Sequence, residues 1–313
     1  MKKKKDLLTL ENVSSDEIFS IIRLAGRLKK KPLSGRNTLK DKTLALLFQK
    51  PSNRTRVSFE VAMVHLGGYS LYLSPQEISM GTRESVKDVA CVISRYVDGI
   101  VARVFSHSDV VKLAEYSTVP VINGLSDLAH PCQALSDIFT ILEKKGTFKN
   151  VTMAYIGDGN NVLYSLLQVC SRVGVNMKIA TPAGYEPDKC VFDETSKIAA
   201  KNGARFEKFN DPAKAVKGCD VVYTDVWVSM GDEDQREKRL KAFRGFQINE
   251  KLMRAAGKNA LIMHCLPAHR GEEITDVIDG KNSIVYDQAE NRMHVQKALL
   301  LRLMSGEQTG GKK

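Results

Sequence analysis

Two arginines stand at the place in the chain where a helix is expected to begin. The apolar run 44–48 predicts a buried strand, Pro51 breaks it, and Ser52 suits the N-cap of a following helix. Arg54 and Arg56 then fall in the first turn, where the helix dipole disfavours a cation and favours an anion. The planar forks of arginine also match phosphate oxygens. These residues predict a phosphate-like anion at this turn, with an ordinary basic surface turn as the alternative.

Other polar residues end or follow predicted strands in the first half of the chain. The run 98–104 predicts a buried strand that carries Arg103 near its end, and a buried cation is costly unless it is paired. His130 and Gln133 lie three residues apart at the start of a helix that Pro131 opens, so they share one helical face. We expect both to belong to the same site as the arginines. For His130 alone, a half-buried capping histidine is the alternative.

The second half of the chain shows the same arrangement. Predicted strands at 219–224 and 259–264 lead into the sequences DVWVSMG and HCLPAHRGEEI, and a glycine turn after the strand VTMAYI presents Asn160 and Asn161. Ligands of open parallel sheets bind outside the carboxyl ends of the strands. The polar clusters that fall at such ends are 52–56, 103, 130–133, 160–161, 225–231 and 264–270. Their common position indicates a functional role.

The elements that must carry these clusters alternate between strand and helix. This alternation predicts an α/β fold with parallel sheets, and a length of 313 residues favours two domains of about 150 residues each. We expect domains at 1–146 and 147–287, each a parallel sheet flanked by helices. The helix 288–305 is apolar enough to dock, and the segment 288–313 is expected to return to the first domain. The other predicted helices include 15–31, 84–96, 162–174, 190–202 and 247–256, and 74–83 is expected to be a loop.

Composition is that of a globular protein that does not enter a membrane. With 43% hydrophobic and 27% charged residues the chain can bury large cores, yet no apolar run approaches the roughly 18 residues of a membrane span. The basic N-terminus is followed by too few apolar residues for a secretory signal. The six cysteines are scattered without a CxxC pair, which indicates reduced thiols and a cytoplasmic location.

A formal net charge of +11 makes nucleic acid a partner to consider. Much of the excess lies in lysine runs at 2–5, 29–31 and 312–313, which are typical of solvated surface, and aromatic residues make up only 7% of the chain. A nucleic-acid-binding module therefore rests on charge alone, and no nucleic-acid partner is expected.

A dinucleotide-dependent enzyme and a metal enzyme are two further alternatives. Gly157 and Gly159 form a GxG after a strand, but the third glycine of the dinucleotide motif is missing. The next strand ends in Ala180–Pro182 without the acidic residue that would hold a ribose. His264 and His269 stand five residues apart in a turn, with no further ligand at a recognisable metal spacing. The sequence thus predicts neither a cofactor nor a metal.

Taken together, these motifs resemble those of the ornithine carbamoyltransferases, within the aspartate/ornithine carbamoyltransferase family. They run in order over nearly the whole chain, as SNRTR at 52–56, Arg103, HPCQ at 130–133, DVWVSMG at 225–231, HCLP at 264–267 and ENR at 290–292. The first three are shared with the aspartate and acylornithine carbamoyltransferases. The DVWVSMG and HCLP pair is what points to ornithine.

The resemblance implies attack of the δ-amine of L-ornithine on the carbamoyl carbon of carbamoyl phosphate, giving L-citrulline and phosphate. It implies that the first domain binds carbamoyl phosphate, that the second binds ornithine, and that the two close together. It also implies a homotrimer, with further association left open, and a role in arginine biosynthesis in preference to catabolism. Transfer is expected to be direct, with a covalent carbamoyl intermediate on Cys265 as the alternative.

The residue roles implied by the resemblance fall into three sets. Carbamoyl phosphate is assigned to Ser52, Asn53, Arg54, Thr55, Arg103, His130, Gln133, Cys265, Leu266 and Arg292. Ornithine is assigned to Asn161, Asp225, Ser229 and Met230, and catalysis to Arg54, Arg103, His130 and Cys265. A carbamoyltransferase for putrescine or an acylated ornithine would keep 52–56 and 130–133 but would not need Asp225 and Ser229 together.

Two positions depart from the family pattern. Asn53 stands where family members usually carry Thr, so a hydroxyl is lost although the backbone N–H can still serve. Ser79 stands in the loop where family members often carry a Gln or His that reaches a neighbouring subunit's site. That contact is therefore expected to be absent or replaced.

Overall fold

Strands and helices alternate along the computed structural model, which describes residues 4–228, 231 and 233–305. The chain divides into two compact units. The first comprises the residues up to Leu135 together with those from Asn291 onward, and the second comprises Ser136–Glu290. No helix within the described ranges is both long enough and apolar enough to cross a membrane.

The first unit is built on a parallel sheet whose middle strand is the first one in the chain. Its strands are β1 (Thr43–Phe48), β2 (Tyr69–Leu73), β3 (Gly99–Arg103) and β4 (Val121–Leu125). They are ordered β2-β1-β3-β4. Because the chain leaves β1 toward β2 on one side and returns to β3 on the other, a topological switch point lies between the carboxyl ends of β1 and β3. Open parallel sheets bind their ligands at such points.

The helices that accompany this sheet bury apolar faces. They are α1 (Ser15–Lys30), α2 (Asn53–Leu66), α3 (Pro75–Ile78), α4 (Val86–Ile93) and α5 (His107–Tyr116), followed by α6 (Pro131–Lys145), which contains the boundary between the units. In α1 a capping box joins Ser14 and Glu17, which satisfies backbone N–H groups that the helix itself leaves open. The apolar face of α1 is buried, as the spacing of its isoleucines predicts.

The second unit repeats the plan with a second parallel sheet. Its strands are β5 (Thr152–Ile156), β6 (Asn176–Ala180), β7 (Phe206–Phe209), β8 (Val221–Thr224) and β9 (Leu261–His264), ordered β7-β6-β5-β8-β9. Its helices are α7 (Asn161–Val173), α8 (Lys189–Lys201), α9 (Pro212–Val216), α10 (Arg236–Ala242) and α11 (Glu250–Ala256). The switch point here lies between the carboxyl ends of β5 and β8.

The C-terminal helix α12 (Val285–Met304) packs back on the first unit. Arg302 Nη2 forms an ion pair with Glu17 Oε1 at 3.0 Å, and Arg302 Nη1 donates a hydrogen bond to Ser20 Oγ at 3.3 Å, both in α1. The predicted fold class is confirmed: the protein is α/β, with parallel sheets flanked by helices and a last helix that returns to the first part of the chain.

Helix α12 begins three residues earlier than the sequence predicted, at Val285 instead of 288. Arg292 therefore lies about two turns inside the helix. The difference in the helix start involves Asp287, an acidic residue that suits a position just before a helix as well as one in its first turn. Asp287 lies in the first turn, where a carboxylate interacts favourably with the helix dipole.

Several short elements escaped prediction. Helix α3 lies within the expected loop 74–83, and β7, α9 and α10 are only four to seven residues long, too short for hydrophobic periodicity to reveal them. Helix α5 had a readable signal that was missed. Ser106 caps it, and Val110 and Leu113 are buried on one face at helical spacing.

Candidate active site

The turn after β1 carries a capped helix end. Ser52 Oγ accepts a hydrogen bond from the Thr55 N–H at 3.3 Å, so Ser52 is the N-cap of α2, as predicted. The Ser52 hydroxyl donates to Thr55 Oγ1 at 3.1 Å. Thr55 is fully buried, and its Oγ1 also accepts a hydrogen bond from Arg292 Nη2 at 2.8 Å. The cap thus places Asn53 and Arg54 in the first turn and fixes Arg292 against α2.

Arg103 reaches the same edge of the sheet. It is the last residue of β3 and pairs in register with Phe48, the last residue of β1. The Gln49 N–H donates to the Arg103 carbonyl at 2.8 Å, which continues the pairing one residue beyond β1. The Arg103 side chain is buried. The switch point between β1 and β3 is therefore flanked by Arg103 on one side and by the Ser52 turn on the other.

His130 lies just before α6 and is held as a neutral imidazole. Burial lowers the pKa of His130 well below its usual value of 6.5, because a charged ring would lose its hydration. Neighbouring cations lower the pKa further, and they are, in decreasing effect, Arg292, Arg103, Lys50 and Arg54. A cluster of positive charge around a neutral imidazole suits a bound anion.

The next residues of α6 are also buried. Gln133 stands in the first turn, where its N–H donates to the His130 carbonyl at 3.1 Å. Cys132 lies 3.6 Å from the Asn123 carbonyl through its Sγ, and burial raises the pKa of its thiol to about 12. Cys132 is therefore a protonated structural thiol and not a nucleophile.

Arg56 has protein partners of its own, which argues against its sharing one anion with Arg54. Its Nε forms an ion pair with Glu60 Oε1 at 2.9 Å one turn along α2, and its guanidinium lies 3.9 Å from the centre of the Tyr72 ring. Both arginines lie in the first turn of α2, as their spacing predicts. The guanidinium of Arg56, however, contacts Glu60 of α2 and Tyr72 of β2.

In the second unit, three strand ends converge on the carboxylate of Asp225, which follows β8. Asp225 Oδ2 accepts a hydrogen bond from Asn160 Nδ2 at 2.8 Å, after β5. Asp225 Oδ1 accepts one from the Cys265 thiol at 2.8 Å, after β9. The Asn160 side chain also caps α7 by accepting from the Val162 and Leu163 N–H groups. Asp225 is thus a buried, oriented carboxylate at the switch point of this sheet.

The other residues predicted to bind ornithine are placed only in part. Asn161 is the first residue of α7, directly after the cap that holds Asp225. Ser229 and Met230 lie outside the described residues. The segment leading to them is anchored by Trp227, whose ring stacks on Phe243 at 5.7 Å and whose carbonyl accepts a hydrogen bond from Arg239 at 3.1 Å.

The turn after β9 brings Cys265 and Leu266 to the same edge. The Leu266 N–H donates to His264 Nδ1 at 2.9 Å, and His264 Nε2 lies 3.3 Å from Glu273 Oε1. Asp225, His264 and Cys265 hold ligand-type atoms within 4.8 Å of one another. Both ring nitrogens of His264 are engaged in these hydrogen bonds, so the imidazole offers no lone pair toward a metal in this arrangement.

Comparison with known proteins identifies both halves of the chain. Residues 5–143 match the carbamoyl-P binding domain of aspartate/ornithine carbamoyltransferase, and residues 149–303 match the Asp/Orn binding domain. The chain belongs to the aspartate/ornithine carbamoyltransferase family. The cluster around His130 lies in the first matched range, and the cluster around Asp225 lies in the second.

Individual family members are similar over almost their full length. The ornithine carbamoyltransferase of Pyrococcus horikoshii is 54% identical over 311 residues, covering 98% of each chain. The structure of the ornithine carbamoyltransferase from Pyrococcus furiosus matches with a TM-score of 0.93 at 54% identity, over 97% of this chain and 98% of that one. The structure of the anabolic ornithine carbamoyltransferase of Campylobacter jejuni matches with a TM-score of 0.91 at 42% identity, over 96% and 98%.

Sequence reasoning missed Lys50 at these edges. Lys50 is buried, lies over the Phe105 ring at 4.9 Å, and is one of the cations that lower the pKa of His130. Its place two residues after β1 and directly before Pro51 gives no sign of this burial. Asn160 was expected to face a ligand from the glycine turn, but its contact with Asp225 was not predicted, because that contact depends on the pairing of β5 with β8.

The GxG turn has a packing explanation in this member of the family. The Gly159 N–H donates to the Tyr185 carbonyl at 2.9 Å, so it does not face a ligand. A Cβ on Gly159 would lie 2.6 Å from the backbone of Glu186 and Pro187. Glycine is required here because another backbone approaches closely, so packing alone accounts for Gly159 in the GxG pattern.

Proposed function

We propose that this protein is an ornithine carbamoyltransferase, which transfers the carbamoyl group of carbamoyl phosphate to the δ-amine of L-ornithine and forms L-citrulline and phosphate. The observation that carries the proposal is the group of cations around neutral His130 at the switch point of the first sheet. The names and close similarity of the relatives supply the choice of ornithine. In this proposal residues 1–146 bind carbamoyl phosphate, 147–287 bind ornithine, and 288–313 return to the first domain.

The first domain would hold the phosphate and activate the carbonyl. Ser52, the backbone N–H groups of the first turn of α2, Arg54 and Arg103 bind the phosphate, which gathers negative charge as it leaves. Arg103, His130 and Thr55 face the carbonyl oxygen, where charge develops when the amine attacks. A neutral His130 suits this role because it donates a hydrogen bond without protonating the substrate. Gln133 and the Leu266 carbonyl accept hydrogen bonds from the carbamoyl amine.

Arg292 has a supporting role in this arrangement. Its guanidinium is buried and donates to Thr55 Oγ1, so it holds the hydroxyl that faces the substrate carbonyl. Its charge also contributes to keeping His130 neutral. Because the whole cluster is preorganised by the cap of α2 and the register of β1 with β3, little reorganisation is needed when the leaving phosphate gains charge.

The second domain would orient ornithine by its α-amino acid end. Asp225 and Ser229 bind the α-ammonium group, and Asn161 and the Met230 amide bind the α-carboxylate. The two hydrogen bonds that Asp225 accepts from Asn160 and Cys265 leave each oxygen a further lone pair for an ammonium donor. Recognition of both α-groups favours free ornithine over putrescine, which lacks the carboxylate, and over acylated ornithine, which lacks the α-ammonium charge.

Direct transfer agrees with the surroundings of Cys265. Its thiol donates a hydrogen bond to the Asp225 carboxylate, and a thiolate at that place would repel the same carboxylate. A covalent carbamoyl intermediate would need that thiolate. The attacking δ-amine, once neutral, reacts with carbamoyl phosphate without such help because the substrate is already activated. Cys265 is then a neighbour of the amine and not a nucleophile.

The setting of the reaction is also part of the proposal. Relatives from Pyrococcus furiosus and Campylobacter jejuni carry the word anabolic in their names, which supports a role in arginine biosynthesis. We expect a homotrimer in the cytoplasm.

The test is citrulline formation from carbamoyl phosphate with ornithine, putrescine, N-acetylornithine and aspartate assayed in parallel. Ornithine is expected to give a kcat/KM at least about a hundredfold above the others, since a missing charged partner costs roughly 1.5–3 kcal/mol for each buried group left unpaired. A preference for putrescine or N-acetylornithine would assign the protein to another branch of the family, and no carbamoyl transfer to any amine would refute the proposal.

A further inference from the structure

Glu273 is a fully buried carboxylate that the proposed chemistry does not use. Its Oε1 lies 3.3 Å from His264 Nε2 and accepts a hydrogen bond from the His269 N–H. Burial by itself raises the pKa of Glu273, but hydrogen bonds from His264 and the His269 backbone outweigh it, so the pKa lies below the usual 4.5. An ionised, buried carboxylate is costly unless its partners are fixed. The chain therefore holds this charge at a defined place.

The contacts of His264 define which ring nitrogen carries the proton. Nδ1 accepts a hydrogen bond from the Leu266 N–H at 2.9 Å, so Nδ1 has no proton. The proton of the neutral ring is then on Nε2, where it is donated to Glu273 Oε1. If Nδ1 carried the proton instead, the ring would lose both hydrogen bonds, because two donors would face each other at Nδ1 and no donor would face the carboxylate.

The Leu266 peptide needs such a fixed acceptor. Leu266 has φ +58°, in the left-handed region that is unfavourable for a residue with a Cβ. Residues stay in this region only when surrounding contacts impose it. The hydrogen bond from the Leu266 N–H to His264 Nδ1 is such a contact, and it acts at the turn that carries Cys265 and the Leu266 carbonyl.

The backbone around Glu273 is anchored in the core of the second unit. The Glu273 carbonyl accepts a hydrogen bond from the Ile248 N–H at 2.8 Å, and the neighbouring Ile274 is fully buried beside Ile248 in the apolar core. Gln247 Nε2 also donates to the Glu272 carbonyl at 2.9 Å. The carboxylate thus projects from a rigid segment, whereas the turn at Leu266 is the part that needs support.

We propose that Glu273 is a positioning residue for carbamoyl transfer: it fixes the tautomer of His264, and His264 in turn holds the Leu266 peptide in its left-handed conformation. This inference rests on the proposed function in one respect: it assumes that the Leu266 carbonyl accepts a hydrogen bond from the carbamoyl amine. Glu273 does not touch the substrate in this scheme. Its effect reaches the reaction through the sequence of contacts Glu273, His264, Leu266.

The first test reads the tautomer without reference to activity. The protein labelled with nitrogen-15 histidine has six imidazoles, and the signals of His264 are assigned by their loss in His264→Asn. Two-bond proton–nitrogen spectra at neutral pH are expected to show His264 as the Nε2–H tautomer. An Nδ1–H tautomer or a rapidly exchanging mixture overturns the proposal, whether or not the protein makes citrulline.

The second test compares adjacent carboxylates. Glu273→Met keeps most of the side-chain volume but removes the oxygen that accepts from His264 Nε2, so the tautomer is no longer selected. We expect kcat/KM for carbamoyl phosphate to fall about tenfold to a hundredfold, the range found for outer partners of metal-binding histidines. The KM for ornithine should change less than about twofold. Glu272→Met is the matched control, since Glu272 pairs with Arg236 at the surface, and it should leave kcat/KM unchanged. An equal loss in both variants contradicts the proposal.

The third test substitutes His264, and its first comparison does not depend on how Glu273→Met folds. His264→Asn places an amide oxygen where Nδ1 lies and should keep the Leu266 contact, whereas His264→Gln should not. His264→Asn is therefore expected to be at least about fivefold more active than His264→Gln, and adding Glu273→Met to His264→Asn should change kcat/KM less than about twofold. Equal activities of the two His264 variants, or a full loss on adding Glu273→Met, would show that Glu273 acts by another route.

Discussion

His130 shows how neighbouring charges define the state of a single side chain. It is buried, and each of the cations around it disfavours a further positive charge, so the ring stays neutral. The same cations would be matched by a dianion. The state of His130 is therefore a local measure of whether an anion occupies the site, independent of any reaction.

Binding of a phosphate dianion is expected to raise the pKa of His130. Negative charge beside the ring offsets the repulsion from Arg103 and Arg292 and makes the protonated form less unfavourable. An NMR titration of labelled histidine, with and without saturating inorganic phosphate, measures the change. His107 is the control, because burial and Asp127 govern its pKa. An unchanged His130 pKa with phosphate bound would mean that the anion sits elsewhere.

At this scale the sequence was informative about residue type and poor about burial. Arg103 stood out because a cation at the end of an apolar run is unusual, and His130 because it precedes Pro131 at a helix start. Lys50 and Glu273 did not stand out, since a lysine before proline and a glutamate in a polar turn are ordinary until the fold buries them. The contact of Arg56 with Tyr72 could not be predicted, because the two become neighbours only once α2 and β2 are formed.

Among the elements, the turns after the strands carry most of the constraints. Ser52 caps α2 and Asn160 caps α7, so in both units a capped helix end stands beside the switch point of the sheet. The Gly159 turn belongs to the second of these. This turn has no room for a side chain at position 159, because the backbone of Glu186 and Pro187 passes directly over it.

Gly159→Ala is expected to lower the free energy of unfolding by about 1–3 kcal/mol, the usual cost of overpacking a tight site. The added Cβ would lie 2.6 Å from backbone atoms of Glu186 and Pro187, which are not side chains that can turn aside. Urea unfolding followed by circular dichroism measures the change. A variant as stable as the parent would show that the 186–187 segment yields easily, and the packing explanation for the GxG turn would fail.

The order of the elements followed from the sequence better than their ends did. Long apolar patterns such as those of β1 and α7 were recognised, and a parallel arrangement was expected from their alternation. The order of strands within each sheet was not predicted, because pairing depends on contacts far apart in the chain. The start of α12 was misplaced for a related reason: Asp287 fits both a position before a helix and a position in its first turn.

At the scale of the whole molecule, four groups with lowered pKa values all reduce the stability of the fold as the pH falls. The pKa values of His65, His107 and His130 all lie below 6.5, with burial as the largest cause, so the unfolded chain binds their protons first. Burial alone raises the pKa of Glu17, but hydrogen bonds from Lys5, the Ser14 backbone and Arg302 lower it to about 2. In each case the unfolded state takes up more protons than the folded one, so acid favours unfolding.

Stability is therefore expected to decline as the pH falls below about 6.5 and to decline again between about 4.5 and 2. Urea unfolding at a series of pH values measures this, and Glu17→Gln should remove part of the lower decline because its ion pair with Arg302 no longer titrates. A free energy of unfolding that stays level from pH 6.5 to 5 would be inconsistent with the lowered histidine pKa values.

The central claim is that the cations at the edge between β1 and β3 bind carbamoyl phosphate. Titration calorimetry with carbamoyl phosphate tests this claim directly when the parent protein is compared with the variants Arg54→Ala and Arg56→Ala. Loss of a charge-assisted hydrogen bond costs about 1.5–3 kcal/mol, so Arg54→Ala should weaken binding roughly ten- to a hundredfold. Arg56→Ala should bind like the parent, because Glu60 and Tyr72 hold that guanidinium. Equal affinities for all three proteins, or no binding by the parent, would contradict the account.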